Sequence, residues 1–258
     1  MKICHFIFNK RKYWGKLEND LIYIFSGSRE RFRGEEAGVN LPAVDRQAVK
    51  LLCPFSPTKI VCVGRNYALH AVELGNQIPE KPLLFLKAPS ALILSGEPIV
   101  IPSQSDRVEH EGELAIIIGK QCRKLTLDDD PFDYILGYTC LNDVTARDCQ
   151  KEDIQFTRAK SFDTFCPVAP FYETDADVSN LLVQTRVNGE LRQSGFTSEM
   201  VFPVDFLVRY ISNQMTLKRG DLIATGTPAG VSKLFPGDVC EVSIERIGTL
   251  TNPVICEN

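Results

Sequence analysis

The stretch Glu109-His110-Glu111-Gly112-Glu113-Leu114-Ala115 lies near the middle of this 258-residue chain and constrains its fold more than any other. It leads into the apolar run 114–118, which ends at Gly119 and is typical of a buried strand. Side chains two residues apart on a strand point to the same side. We therefore expect Glu111 and Glu113 to direct two carboxylates to one spot.

Asp143 comes at the end of a second apolar run, 134–141, and is the candidate for a third carboxylate. Three convergent carboxylates repel one another unless a cation lies between them, and a hard divalent ion with oxygen ligands, Mg²⁺ or Mn²⁺, suits that position. Ca²⁺ fits less well, because the sequence has no Asp-rich calcium loop. The alternative is that Glu111 and Glu113 line a solvated strand face, where Glu109 is either a fourth acid or a surface residue.

Composition argues against several classes of protein. The chain is 44 % apolar and 24 % charged, as in ordinary globular proteins, and its net charge of -4 argues against nucleic acid as a partner. No apolar run reaches about 18 residues, so we expect no membrane span. Residues 1–8 lack the order of a secretory signal, because basic residues follow the apolar ones instead of preceding them.

The chain has nine cysteines, an odd number, and no pair has Cys-x-x-Cys spacing. Several of them, such as Cys62 and Cys240, lie within apolar runs. We therefore expect reduced, mostly buried thiols in a cytoplasmic protein, and no structural zinc site.

The first part of the chain differs from the rest in its pattern of apolar and charged residues. Two short β-like stretches, 3–8 and 21–25, alternate with charged turns, and a basic, glycine-containing segment, 26–38, follows them. Residues 41–57 contain three prolines and are typical of a linker. We predict a small N-terminal β subdomain with its linker over residues 1–57.

The remainder, 58–258, is predicted to be a second, larger and mainly β domain. Its short apolar stretches are separated by Gly, Pro, Asn and Asp, and they lie at 60–63, 83–86, 91–94, 99–101, 114–118, 134–141, 182–187, 221–224, 239–244 and 250–255. An Asn188-Gly189 pair predicts a hairpin turn after the stretch at 182–187. Helical periodicity is found only at 66–74, 144–151 and 203–215. The pattern indicates a mixed β-roll or sandwich with a few short helices.

The segment from Gly64 to Gly75 carries a possible general base. Asn66 can cap a short helix and Gly75 can end it, while His70 and Glu73 share one face of that helix. Glu73 would then orient His70 and raise its basicity toward water. A helix of about eight residues is marginal alone, which suits a lid that orders over bound substrate. The alternative is an ordinary surface pair.

Further candidates lie downstream. Arg147, Gln150 and Lys160 could hold an anionic substrate and stabilise developing negative charge, or they could be solvated surface groups. In the loop Thr225-Gly226-Thr227-Pro228-Ala229-Gly230-Val231, backbone N–H groups and the Thr227 hydroxyl could bind a carboxylate. A purely structural turn is the alternative for this loop.

Taken together, these segments resemble the fumarylacetoacetate hydrolase family over about residues 59–256. The motifs that carry the resemblance occur in the family's order: Gly-Arg-Asn-Tyr-x-x-His-x-x-Glu from Gly64, Glu-x-Glu-Leu-Ala from Glu111, Asn-Asp-Val-Thr-Ala-Arg-Asp from Asn142, Lys-Ser-Phe-Asp-Thr-Phe from Lys160, and Thr-Gly-Thr-Pro-Ala-Gly-Val from Thr225. Ala169 and Ser232 depart from the family's more common glycines, which bears on loop shape and substrate choice.

The resemblance implies a mixed β-roll or sandwich core, usually in a homodimer, and a role for each candidate. The implied metal ligands for Mg²⁺ or Mn²⁺ are Glu111, Glu113 and Asp143. The implied catalytic residues are His70 and Glu73 on a mobile lid, which activate water, and Lys160, which stabilises charge. The implied substrate contacts are Arg147, Gln150 and Thr227.

The His-x-x-Glu lid resembles the acylpyruvase-like branch of the family. That branch implies metal-dependent hydrolysis of the C–C bond of an acylpyruvate-type 2,4-dioxo acid. Oxaloacetate decarboxylation, or isomerisation of a 2-hydroxy-diene-dioate, would use the same site and the same enolate. A distant alternative is a non-catalytic β module that binds carbohydrate or protein.

Overall fold

The computed structural model describes residues 1–25 and 43–257. The expected basic segment 26–38, and the beginning of the expected linker at 41–42, lie outside the described residues. The described residues form twenty strands: β1 Lys2–Phe8, β2 Arg11–Glu18, β3 Leu21–Ile24, β4 Ala43–Asp45, β5 Lys50–Leu52, β6 Ile60–Gly64, β7 Leu83–Lys87, β8 Leu92–Leu94, β9 Ile99–Ile101, β10 Val108–Glu109, β11 Gly112–Ile118, β12 Ile135–Asn142, β13 Thr145–Ala146, β14 Cys166–Val168, β15 Phe171–Glu173, β16 Leu182–Val187, β17 Glu190–Phe196, β18 Leu222–Ala224, β19 Val239–Ile244 and β20 Gly248–Cys256. Four α-helices accompany them in the described part: α1 Ala68–Glu73, α2 Arg147–Glu152, α3 Thr157–Lys160 and α4 Val204–Gln214.

Three sheets organise these strands. The largest has thirteen strands, with the central order β4-β3-β2-β1-β15-β12-β11-β18-β6-β7, and β5, β8 and β14 pair beside this path. A second sheet has the order β17-β16-β19-β20-β9, and β10 pairs with β13 alone. Most pairs are antiparallel, but β18 with β6, β14 with β8, and β20 with β9 are parallel. The predicted mainly β fold with mixed sheets and a few short helices is confirmed.

The strand β11, which the opening stretch predicted, lies between two cores. Leu114, Ile116 and Ile118 belong to one buried cluster, and Ala115 and Ile117 belong to the other. Because both faces of β11 are covered, the strand is a continuous apolar run rather than an alternating one. The carboxylates of Glu111 and Glu113 come just before this apolar run, at the N-terminal end of β11.

Ile116 offers a direct test of this packing. It is fully buried, so Ile116→Ala should lower the free energy of unfolding by about 2–5 kcal/mol through lost burial and a residual cavity. Urea denaturation would measure this change. Leu127→Ala is the matched control, because Leu127 is 90 % exposed and its truncation should change stability by less than about 0.5 kcal/mol. Equal losses in the two variants would show that β11 does not lie between packed layers.

The N-terminal strands join the main sheet rather than forming a sheet of their own. Strand β1 pairs with β15 through the partners Ile3 and Tyr172, and it also pairs with β2 and β5. Strands β4 and β5 lie within the stretch 41–57 that was expected to be a linker, so residues 43–52 are structured instead. A division into domains at residue 57 stays a prediction.

Two of the predicted helices have the expected positions, with one correction. The helix predicted at 203–215 is α4, and the one predicted at 66–74 is α1, which ends at Glu73 and is followed two residues later by Gly75 with φ +69. Asn66 does not cap α1, since the cap position is Tyr67 without a side-chain bond. Instead the Asn66 amide donates to the carbonyls of Thr225 at 2.7 Å and Phe202 at 3.1 Å, and so joins three loops.

The third predicted helix, at 144–151, begins later than expected. Helix α2 starts at Arg147, because Thr145 and Ala146 pair as β13 with β10. The predicted hairpin turn at Asn188-Gly189 is confirmed, since both residues have positive φ, 53 and 80. Such a pair suits the twist of a two-residue hairpin.

The described helices include none that is long and apolar enough to cross a membrane. All nine cysteines are among the described residues, and none of them forms a disulfide. Seven are buried, Cys53 is half-buried and Cys256 is exposed.

Candidate active site and metal centre

Two paired strands bring the predicted carboxylates together. Gly112 at the start of β11 pairs with Asn142 at the end of β12, so Glu111 and Asp143 become neighbours. The Asp143 N–H donates to the Glu111 carbonyl at 2.8 Å, which fixes this arrangement. Glu111, Glu113 and Asp143 are all buried, and each offers an oxygen within 4.8 Å of the others. These three residues are called the carboxylate cluster below.

Two of the predicted site residues, Lys160 and Arg147, are cations that contact the cluster directly. The Lys160 ammonium donates to Glu111 Oε2 at 2.8 Å and to Asp143 Oδ2 at 2.7 Å. Arg147 donates from Nη2 to Glu111 Oε1 at 2.6 Å and from Nε to Glu109 Oε2 at 2.7 Å. Both predicted cations therefore lie at the cluster, and neither is a solvated surface group.

Of the two expectations for Glu109, the surface residue is corrected: Glu109 is a fourth buried acid beside the cluster, although it is not one of the three grouped carboxylates. It is fully buried and forms ion pairs with Arg147 and with Arg107 Nε at 2.6 Å. The strand alternation that pairs Glu111 with Glu113 is interrupted here, because Glu109 belongs to the separate strand β10. Glu109 therefore neutralises Arg147 from behind the cluster.

Sequence reasoning did not single out Lys87, which contacts the cluster from the protein interior. Its ammonium is fully buried and donates to Asp143 Oδ1 at 2.6 Å and to the Val144 carbonyl at 3.1 Å. In the sequence it is one lysine after an apolar run, with no motif to distinguish it from a surface residue. Together Lys87 and Lys160 hold both oxygens of Asp143.

The charges in this region are not balanced at Glu113. Burial alone would raise the pKa of Glu111, but the charges of Lys160 and Arg147 outweigh it and hold that pKa well below its usual range. Burial and the neighbouring carboxylates of Asp143 and Glu111 raise the pKa of Glu113 well above its usual range. Among the described residues no lysine or arginine pairs with Glu113, whose Oε2 accepts only the Gly226 N–H at 2.8 Å.

The donor set therefore fits a divalent cation. It consists of three carboxylates, which are hard oxygen ligands of the kind that Mg²⁺ and Mn²⁺ prefer. The group that lacks a positive partner, Glu113, is the one that a bound ion would neutralise. The residues around Glu111 and Asp143 fix the orientation of those ligands.

Helix α1 places the predicted base at the same site. His70 is only 4 % exposed, whereas its neighbours Leu69 and Val72 are 70 % and 66 % exposed, so one face of the helix points inward. His70 Nδ1 lies 3.2 Å from Glu73 Oε2. The other oxygen of Glu73 accepts the Gly230 N–H at 3.0 Å, which attaches α1 to the loop after β18.

One cavity of about 220 Å³ collects these residues. Eight of the nine predicted site residues line this cavity. The ninth, Glu73, does not line it but contacts His70, which does. Apolar side chains complete the walls: Val63, Leu74, Leu83, Phe85 and Phe156. A small cavity with convergent carboxylates, cations and a histidine is the expected form of an active site.

The loop after β18 has a tightly determined backbone. Gly226 has φ +99, and a Cβ there would lie 2.7 Å from the Cβ of Asn66, so only glycine fits. The Thr227 hydroxyl donates to the Gly112 carbonyl at 2.8 Å and accepts from Gln193 Nε2 at 2.7 Å. Thr227 lines the cavity, but its hydroxyl already donates its hydrogen bond to the Gly112 carbonyl.

Lys87→Met tests the support beneath the cluster. Removing one partner of a buried ion pair should cost about 3–5 kcal/mol, because Asp143 would keep only Lys160. Urea unfolding in EDTA would show this loss, and added Mn²⁺ should reduce it. Lys16→Met, which removes an exposed pair with Glu18, should change stability by less than about 1 kcal/mol. A loss no larger than in this control would refute a supporting role for Lys87.

A family model agrees with the geometry. The model named Fumarylacetoacetate (FAA) hydrolase C-terminal matches residues 59–255, which is most of the chain. The chain belongs to the fumarylacetoacetate hydrolase family. The resemblance carried by the five sequence motifs is thereby confirmed.

Two curated relatives of this family member have named activities. The oxaloacetate tautomerase YisK of Bacillus subtilis (strain 168) is 43 % identical over 223 residues, with 80 % of this chain and 73 % of that protein covered. The mitochondrial oxaloacetate decarboxylase of Dictyostelium discoideum is 46 % identical over 198 residues, with 74 % and 90 % covered.

Solved structures show the same fold. The 2-hydroxyhepta-2,4-diene-1,7-dioate isomerase from Mycobacterium marinum has a TM-score of 0.88 and 38 % identity, with 100 % of this chain and 99 % of that chain covered. The fumarylpyruvate hydrolase from Pseudomonas aeruginosa, solved in complex with Mn²⁺ and pyruvate, has a TM-score of 0.74 and 29 % identity, with 79 % and 91 % covered. The protein is therefore an enzyme of the fumarylacetoacetate hydrolase family.

Proposed function

We propose that this enzyme hydrolyses the C–C bond of an acylpyruvate-type 2,4-dioxo acid. The observation that carries the proposal is the buried His70, which lies 3.2 Å from the exposed Glu73 and lines the same small cavity as the carboxylate cluster. A histidine oriented by a carboxylate is suited to take a proton from water. The cluster supplies the second requirement, which is a place for a charge-stabilising cation.

Glu111, Glu113 and Asp143 would hold Mg²⁺ or Mn²⁺, which when bound acts as a Lewis acid toward a 2-oxo group and lowers the cost of negative charge beside it. Lys160 adds a second positive charge at the same place. Burial would lower the pKa of Lys160, but Asp143 and Glu111 outweigh it and raise that pKa, so the side chain stays an ammonium. It can therefore stabilise an enolate oxygen.

The base is prepared by its neighbours. Because Glu73 occupies Nδ1 of His70, Nε2 is the nitrogen that remains for proton transfer. In hydrolysis it takes a proton from water as the water oxygen bonds to the distal acyl carbon. The bond between that carbon and C3 then breaks, and its electron pair forms the enolate of pyruvate. Return of the proton to C3 completes the products, pyruvate and a carboxylic acid.

Helix α2 would hold the substrate carboxylate. Arg147 and Gln150 lie three residues apart on it and both line the cavity. Arg147 Nη1 donates to Gln150 Oε1 at 2.6 Å, so the two side chains are fixed relative to each other. A guanidinium beside an amide offers several donors to one carboxylate, which orients a 2-oxo acid for reaction.

A second candidate is the tautomerisation or decarboxylation of oxaloacetate. The two curated relatives at 43 % and 46 % identity carry those names, which supports it. Isomerisation of a 2-hydroxy-diene-dioate, the named activity of a structural neighbour, is related chemistry. In tautomerisation and isomerisation His70 would move a proton at carbon without activating water, whereas decarboxylation needs only the enolate.

A substrate panel tests the proposal. We expect metal-dependent pyruvate release from acylpyruvates with Mg²⁺ or Mn²⁺, and its loss in EDTA. Faster reaction of oxaloacetate or of a hydroxymuconate-type diene would favour the second candidate. If none of these 2-oxo acids reacts with either metal, the enzyme proposal fails and a binding module becomes the better explanation.

We further propose that the chain functions as a homodimer in the cytoplasm. The homodimer follows from the family resemblance, and a cytoplasmic setting suits nine cysteines without a disulfide. Sedimentation velocity would test the dimer: a single species at the mass of one chain would refute it.

A further inference from the structure

Four cationic side chains line the active-site cavity, and they fall into two pairs. Arg147 and Lys160 are buried and already paired with carboxylates of the site. Arg65 and Lys151 also line the cavity, but no acid among the described residues forms an ion pair with either of them. Two cations of the cavity therefore remain available to a ligand.

Lys151 extends the substrate-facing side of helix α2. Arg147, Gln150 and Lys151 are spaced at i, i+3 and i+4, so they share one face of the helix, and all three line the cavity. Arg147 is buried, whereas Lys151 is exposed. The face therefore runs from the carboxylate cluster outward to the mouth of the cavity.

Arg65 is held there by an unusual backbone. Its φ is +59, a left-handed conformation that costs a non-glycine residue roughly 1 kcal/mol or more and tends to occur at functional sites. The next residue, Asn66, is fixed by its bonds to Thr225 and Phe202. Arg65 follows the end of β6 directly, so both neighbours constrain its position.

Charge points to the kind of ligand. Four buried acids lie near the site: Glu109, Glu111, Glu113 and Asp143. They exceed the three buried cations, Lys87, Arg147 and Lys160, by one negative charge, which a bound divalent ion would more than offset. Arg65 and Lys151 then make the cavity clearly positive. A substrate with one carboxylate and a neutral tail would leave both of these cations without a partner, and a dianion would not.

We propose that Arg65 and Lys151 bind a second carboxylate at the end of the substrate remote from the carboxylate cluster, so that the substrate is a 2-oxo dioate. This inference rests on the proposed function and narrows its substrate class. It selects oxaloacetate, or a 2,4-dioxo acid whose acyl group ends in a carboxylate, over acylpyruvates with alkyl tails. Leu83, Phe85 and Phe156 would contact the carbon chain between the two ends.

Matched ligand pairs test this directly. Oxaloacetate and 2-oxoglutarate have monoanionic isosteres, 4-methyl-2-oxopentanoate and 5-methyl-2-oxohexanoate, which keep the C1 carboxylate and carry an isopropyl group in place of the distal carboxylate. Calorimetry or competitive inhibition with Mg²⁺ present should show at least one dioate binding about tenfold or more tightly than its isostere, which corresponds to about 1.4 kcal/mol.

Variants assign the preference to these residues. Lys151→Met and Arg65→Met should each reduce the ratio of dioate affinity to isostere affinity by about threefold to tenfold, while the affinity for the monoanionic isosteres stays the same. Lys151→Arg and Arg65→Lys should retain the preference, which separates lost charge from a damaged fold. Lys50→Met, at the exposed first residue of β5, is the control and should leave the ratio unchanged.

The outcomes distinguish this inference from the proposed function. Metal-dependent turnover with equal binding of dioates and isosteres would overturn the inference and leave the function standing. A preference for dioates that survives both methionine variants would also overturn it. No turnover of any 2-oxo acid would refute the function, and the binding ratio would still be measurable.

Discussion

Glu113→Gln is expected to abolish tight binding of Mg²⁺ or Mn²⁺ and to lower turnover by about 10³-fold or more. The amide keeps the size of the side chain, and its oxygen can still accept the Gly226 N–H. It removes the one carboxylate of the cluster that no lysine or arginine in the described residues neutralises. Loss of a Lewis acid costs several kcal/mol of transition-state stabilisation. Electron paramagnetic resonance of Mn²⁺ would measure binding, and pyruvate release would measure turnover.

Stability separates this effect from misfolding. Because burial and the neighbouring acids disfavour a charged Glu113, the neutral glutamine should leave the metal-free protein at least as stable as the wild type in EDTA. Glu190→Gln, at an exposed acid on β17, is the control for both measurements. Wild-type Mn²⁺ affinity in Glu113→Gln would contradict the assignment of the metal centre.

His70→Ala is expected to reduce acylpyruvate cleavage by about 10²–10⁴-fold, which is the usual contribution of a positioned general base. Oxaloacetate decarboxylation should fall much less, because it needs the enolate but no attacking water. Glu73→Gln should resemble His70→Ala in direction but be milder, since it disturbs the orientation of His70 without removing the base. Steady-state kinetics on both substrates would measure the contrast.

The comparison of substrates is the decisive part of this experiment. Equal loss of both activities would argue against water activation by His70 and for a general role in proton transfer or in closing the cavity. Unchanged Mn²⁺ binding in His70→Ala would show that the carboxylate cluster is intact. The variant is therefore informative only when metal binding and both reactions are measured on the same preparation.

The local sequence pattern was sufficient to predict the positions of strands and helices with strongly apolar faces. Strand β11 and helix α4 lie where a continuous apolar run and helical periodicity indicated, because burial on their faces determines which residues they contain. The sequence of β2 was interpreted as a charged turn, and β17 was not among the predicted strands although the hairpin turn before it was predicted. Most side chains of both strands are exposed or half-buried, so neither has a strong apolar face. Pairing with neighbouring strands, rather than a local signal, makes them strands.

The residues of the candidate site also divide into those that the sequence alone could predict and those that it could not. The pairing of His70 with Glu73 and the convergence of Glu111 with Glu113 depend on spacing within one element, so the sequence alone could predict them. The roles of Lys87 and Glu109 could not be predicted. Lys87 meets Asp143 from 56 residues away, and Glu109 meets Arg147 from 38 residues away.

The sequence by itself determined which residue types the site contains and which of them share a helix face or a strand end, because backbone geometry sets those relations over a few residues. Only the tertiary structure decided which charges neutralise each other and which stay unpaired. Ion pairs form between side chains that packing brings together, whatever their separation along the chain. Within the described residues, the unneutralised carboxylate at Glu113 and the unpaired cations Arg65 and Lys151 are consequences of that packing.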